Sequence, residues 1–185
     1  MSDPTPTQTS TTIASYALAI QKALEANGFD AGDIFEAVGL DRTPGSDPLD
    51  RLTTAQVAQI FNESVKRSGN PAFGLTVARF LHPSSVHALG YALLASSSIR
   101  DACERLVYYF RLASTNGQYR IEEDEDRFCL ILEVMAEGVS PETGDAWTAF
   151  IVHLFRMIHQ PDLTPLSVRL PRACPPGCEA HSQRS

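Results

Sequence analysis

The sequence predicts an α+β fold, mostly helical with one small antiparallel sheet, and three observations predict it. Apolar residues recur three or four apart in several separate stretches, as on the buried stripe of a helix. Between His87 and Val134 the apolar period changes from about 3.6 to 2, which places a helix ahead of a β-hairpin at about 118–134. Leu166, Val168 and Leu170 then alternate as a strand at about 166–170 that could join the hairpin.

In chain order, the Pro/Thr/Ser-rich residues 1–11 read as a disordered tail. Ile13, Ala17, Ile20 and Leu24 space a first helix that should stop at Asn27-Gly28, where glycine suits the left-handed C-cap. A short second helix carries Ile34, Phe35 and Val38, with Asp30 as expected N-cap and Gly39 as its end. Asp41–Asp50 concentrates chain breakers and reads as loop. Thr53 with Gln56 forms the capping-box pattern for a helix faced by Val57, Ile60, Phe61 and Val65. Asn70-Pro71 marks a further start, ahead of Phe73, Val77, Phe80 and Leu81.

The stretch His87–Val134 reads as a short helix, a capped amphipathic helix and the hairpin. Ser98 is placed to cap the second helix, whose stripe is Ile99, Cys103, Leu106, Phe110 and Ala113. In the hairpin Phe128, Leu130, Leu132 and Val134 share one face, Tyr119 and Ile121 alternate with Arg120 and Glu122, and Glu123–Asp126 supplies the turn. Pro141–Gly144 reads as a break before a long helix from about Asp145 to Gln160. That helix bears Trp147, Phe150, Ile151, Leu154, Phe155 and Ile158, the most apolar helical face of the chain and the expected interface of a homodimer. The domain expected from these elements is 12–172, with 173–185 a truncated C-terminal segment.

The composition, 43% hydrophobic and 20% charged over 185 residues, belongs to a soluble globular chain. The N-terminus has no basic and apolar secretory pattern, so a cytoplasmic, non-membrane protein is expected. Net charge is −7 and lysine occurs only at Lys22 and Lys66. Phosphate neutralisation needs a basic face, which argues against nucleic-acid binding by these residues alone. Cys103, Cys129, Cys174 and Cys178 do not make a secreted-type disulfide framework and are read as thiols.

No nucleophile elbow, phosphate-binding glycine loop, dinucleotide fingerprint or HExxH stands in the chain, so a non-enzymatic protein without a cofactor is expected. Cys174, Cys178 and His181 offer three metal-ligand types but lack the fourth that a structural zinc site wants. The pairs His82/His87 and His153/His159 have neither i, i+4 spacing nor a shared helix face. A pocket with aromatic walls and a few polar groups is the expected ligand site, with Tyr91, Tyr109, Arg111, Trp147 and His153 as candidate residues.

The runs Asn70-Pro-Ala-Phe-Gly-Leu75, His82-Pro-Ser-Ser-Val-His-Ala-Leu-Gly-Tyr91, Ala92–Ala102 and Arg105-Leu-Val-Tyr-Tyr-Phe-Arg111 carry a family resemblance. From about Ile13 to Arg172 the chain resembles the N-terminal, arabinose-binding-like effector domain of AraC/XylS-type transcriptional regulators. The resemblance implies a bacterial sensor of a small-molecule metabolite that controls a C-terminal domain with two helix-turn-helix motifs. Promoter DNA would be read only through that domain, which is expected to be missing here. The alternative is a stand-alone interaction or dimerisation module without a ligand.

Overall fold

The computed structural model describes residues 9–40, 44, 45, 47, 49–170 and 172. Their order is β1 (Thr11–Ile13), α1 (Ser15–Glu25), α2 (Gly32–Ala37), β2 (Arg51–Thr53), α3 (Thr54–Ser68), α4 (Phe73–Ala78), α5 (His87–Leu94), α6 (Ile99–Tyr109), β3 (Gly117–Glu123), β4 (Phe128–Val134) and α7 (Pro141–Ile158). A 3-10 turn, Pro83–Val86, leads into α5, and another, Phe110–Leu112, follows α6. The α+β fold is as expected, and no helix of the described residues is long and apolar enough to cross a membrane.

Local chemistry sets the ends of α3 and the start of α6. Thr53 and Gln56 close a reciprocal capping box on α3, and Gly69 ends it in the left-handed region at φ 63°. Ser98 Oγ accepts from the Asp101 N–H at 3.1 Å and starts α6. Asn70 departs from its expected role. Its side chain accepts from the Ala72 N–H at 2.9 Å, making an Asx turn, and α4 begins at Phe73. In the same way Asp30 accepts from Gly32 N–H at 2.8 Å, while the N-cap position of α2 is Ala31.

The long helix starts earlier than Asp145. Pro141 is its first residue, after an extended Ser140, because a proline at that position sacrifices no hydrogen bond and its fixed φ is already helical. Its apolar face is internal: Trp147, Phe150, Ile151, Leu154 and Phe155 are all buried within the one chain. That face is therefore covered by the protomer itself and cannot be the surface of a homodimer. A Cβ on Gly74 would lie 2.4 Å from the Glu142 carbonyl oxygen. The close crossing of α4 over α7 thus depends on a missing side chain.

Two antiparallel two-stranded sheets form, β1–β2 and β3–β4. The hairpin register pairs Tyr119 with Leu132 and Ile121 with Leu130, and the face of Phe128, Leu130 and Leu132 is turned to the core, while Val134 at the strand end is exposed. Arg100 of α6 spans Glu123 and lies 4.8 Å from the Phe128 ring, which ties the helix to the hairpin tip. The β1–β2 pair did not show in the sequence, since three-residue strands carry no readable period. Residues 1–8 of the expected tail lie outside the described residues, but Thr11 is paired with Thr53.

The expected strand at 166–170 does not form. Arg156 Nε donates to the Leu163 carbonyl at 2.8 Å, and Arg172 is ion-paired with Asp145 and Glu142. Both ends of the segment are thereby fixed to α7, so it runs back along that helix instead of beside the hairpin. Leu166 is 84% exposed and Val168 54%.

Two outcomes follow. Gly74→Ala should lower stability in urea unfolding by about 1–3 kcal/mol through overpacking, whereas Gly144→Ala, where a Cβ meets nothing within 4 Å, should leave it equal or raise it. Arg105, then the Ser97 N–H, hold the Asp101 carboxyl down at about 2. A depressed folded pKa adds stability above the ordinary carboxylate value and loses it as pH falls through the folded one. Asp101→Asn should therefore show a smaller loss of urea midpoint than the parent between about pH 5 and pH 2.

Candidate functional site

The largest buried side chain, Trp147, sits at the centre of an aromatic box. Tyr16 of α1 stacks on it with ring centroids 5.6 Å apart and planes 5° from parallel. Phe110 meets its face edge-on at 5.0 Å, and Phe150 packs at 5.9 Å. Tyr119 of β3 in turn meets Phe110 at 4.8 Å. Each contact is of the offset or edge-to-face kind that aromatic quadrupoles favour.

Inside the box, Tyr16 Oη, Tyr119 Oη and Trp147 Nε1 are buried without a hydrogen-bond partner among the described residues. Burial first, then Tyr119, Asp145 and Glu142, raise the Tyr16 phenol far above its ordinary pKa, so it stays a neutral donor. Asp145 is 2% exposed, and Glu142 is also buried. Their charges are matched by Arg172, whose Nη1 lies 3.8 Å from Glu142 Oε1, whose Nη2 pairs with Asp145 and which also donates to the Pro71 carbonyl at 3.2 Å. Isolated buried carboxylates would be costly, so this guanidinium is what lets both stay near the core.

On the opposite side of α1 lies a groove of about 230 Å3 open to solvent. Ser15, Leu18 and Lys22 of α1 form one wall, and Phe80, Ser84 and His87 the other. Ser15 Oγ donates to the Ser85 carbonyl at 2.7 Å and holds α1 to the 3-10 turn. A Cβ on Gly45 would stand 2.8 Å from Ser15 Cα, so glycine lets the chain between α2 and β2 approach the start of α1. His87 has φ 47°, the one positive φ of a non-glycine among the described residues. Such strain persists where neighbouring contacts over-determine it; here a Cβ on Gly90 would lie 1.8 Å from the Pro83 carbonyl, which pins α5 against the turn. A second opening, at the hairpin tip, is rimmed by Glu122, Glu123, Asp124 and Arg127.

The expected site residues stand in different settings. Trp147 is core, while His153 faces solvent on the far side of α7 and Arg111 is exposed in the turn after α6. Tyr91, 66% exposed, and Tyr109, 47% exposed, lie on α5 and α6. Tyr16, Tyr119, Lys22, Ser84 and His87 are not among the residues that the sequence suggests for a site; Tyr119 stands out there only as a strand residue and His87 only as half of the His82/His87 pair. Tyr16 falls on the stripe of Ile13, Ala17, Ile20 and Leu24, three residues after the first and four before Ile20, but the groove is assembled across about seventy residues of chain that no local pattern connects. Cys103 and Cys129 are free thiols, with burial pushing Cys103 up to about 12. Cys174, Cys178 and His181 lie outside the described residues.

Two variants probe the box. Trp147→Ala should cost about 3–5 kcal/mol in chemical denaturation, whereas Tyr16→Phe, which deletes an unpaired buried hydroxyl, should be neutral or stabilise by about 1 kcal/mol.

No curated protein matches the chain. A family model described as the arabinose-binding domain of AraC transcription regulators, N-terminal, matches residues 28–184, which leaves α1 outside the matched stretch. That coverage is most of the 185 residues, and the chain belongs to this family of ligand-binding regulatory domains.

Proposed function

We propose that this chain is the sensory part of a bacterial AraC-type transcriptional regulator, which binds a small-molecule effector and passes its state to a C-terminal helix-turn-helix domain of the full regulator. The family match over residues 28–184 carries the reading. The acid balance suits it, since a net charge of −7 leaves promoter binding to another, basic segment. The effector is received in the groove between α1 and the turn before α5. Movement of α1 there is transmitted directly, because Tyr16 on its inner side is stacked on Trp147 of α7, and α7 carries Glu142 and Asp145, the partners of Arg172. A ligand that prefers one arrangement of these elements shifts the population toward it by no more than its differential affinity, commonly about 1–3 kcal/mol.

The sensor works as a homodimer in this reading. With the face of α7 internal, pairing falls to α5, α6 and the turn after it, where Tyr91, Tyr108, Tyr109 and Leu112 are exposed. Exposed aromatic side chains of this kind are typical anchors of protein contacts. In light scattering Tyr108→Glu should then shift a dimer toward monomer without lowering the unfolding temperature of the monomer.

A thermal-unfolding screen of metabolites tests the sensor reading. One of them should raise the midpoint in a concentration-dependent way, since a ligand that binds only the folded state stabilises it by mass action. The chain by itself should show no salt-sensitive binding to duplex DNA, and tight binding of that kind would overturn the division of labour.

A further inference from the structure

The groove between α1 and the turn before α5 has a polarity that names a class of ligand. Lys22 is one of two lysines in a chain of net charge −7. The other, Lys66, is ion-paired with Glu63 at 3.4 Å, whereas Lys22 has no ion-pair partner among the described residues and faces the groove. Across from it, the Ser84 hydroxyl and the His87 ring also line the groove, and neither side chain makes a hydrogen bond among the described residues. Ser15 is already committed as a donor, to the Ser85 carbonyl, and offers only its oxygen. Between these polar groups Leu18 and Phe80 supply an apolar floor, with Phe80 half-buried against the core.

A cation, a hydroxyl and an imidazole with no opposing carboxylate among the described residues that line the groove select a negative charge. The apolar floor selects a hydrocarbon body attached to it. The volume, about 230 Å3, lies below the roughly 300 Å3 at which ordinary ligand pockets begin, so the body is short. Strain at His87 fits the same picture: the backbone at φ 47° sets the imidazole at the mouth of the groove, and Gly90 against Pro83 prevents its relaxation.

We propose that this groove binds a small carboxylate with a short apolar body, the carboxylate facing Lys22, Ser84 and His87 and the hydrocarbon lying on Leu18 and Phe80. The assignment rests on the sensor reading for its biological sense, but the site is testable without it.

Hexanoate, hexanamide and inorganic phosphate, titrated calorimetrically into the chain, are the probes. Hexanoate should bind at least about tenfold more tightly than its neutral amide. Lys22→Gln should abolish that preference, and Lys66→Gln, made at the paired lysine on α3, should leave it intact. Lys22 is exposed, so its substitution should not disturb folding, and an unchanged unfolding midpoint checks this. Equal affinity for hexanoate and hexanamide, or no binding of hexanoate, overturns the anion assignment. Phosphate binding as tightly as hexanoate overturns its apolar half. A neutral metabolite that stabilises the chain while hexanoate does not would sink the ligand class and leave the sensor reading standing.

Discussion

The stack of Tyr16 on Trp147 is the contact on which the other elements depend. A single indole, 1% exposed, is shared by α1 through Tyr16, by the turn after α6 through Phe110, and by its own helix through Phe150. Tyr16 reaches α3 through Phe61, and Phe110 reaches the hairpin through Tyr119. Large aromatic side chains supply more buried area per residue than any others, so one such group can organise helices that are short on their own. The cost is three polar tips, at Tyr16, Tyr119 and Trp147, buried without partners among the described residues. Each is a desolvated donor worth about 1–3 kcal/mol against the fold, which the surrounding burial must exceed.

Around that centre, polar contacts rather than sheet length fix the small strands. Thr12 Oγ1 lies 2.9 Å from Ser114 Oγ, and Asn116 Nδ2 donates to Thr12 Oγ1 at 3.4 Å. All three residues are buried, and they join β1 to the start of β3 across more than a hundred residues. Arg51 adds donations to the Thr11 hydroxyl at 2.7 Å and to the Leu112 carbonyl at 3.2 Å. A three-residue strand pair is too short to be stable alone; these side chains hold it. The same economy appears at the other end of the chain, where Arg172 matches two buried acids of α7 and thereby holds the segment after the helix against the domain.

Much of the fold was legible because its signals are local. The Thr53/Gln56 box, the Ser98 cap, the glycine stops at Gly28, Gly39 and Gly69, and the two-residue alternation of the hairpin each lie within one turn or one strand. The site was much less legible. Tyr91, Tyr109, Arg111 and His153 share the residue types of a pocket, yet types say nothing about which faces meet, and the structure leaves these four on its surface. Trp147 satisfied the same criterion and is the core itself. Pro141 was read as a break when it is the first residue of α7, because a proline stops a helix from inside and starts one from its first turn.

By itself the sequence determined the helix periods, their caps, the hairpin and its inward face, the acid balance and the family pattern, since all of these are written in neighbouring residues. Only the tertiary structure decided that the apolar face of α7 is buried within its own chain, that Leu166, Val168 and Leu170 run beside that helix and not in a sheet, and that Lys22, Ser84 and His87 line one groove. Those outcomes depend on contacts between residues far apart in the chain, where packing at Gly74 and Gly90 and charge pairing at Arg172 choose among arrangements that the local patterns leave equal.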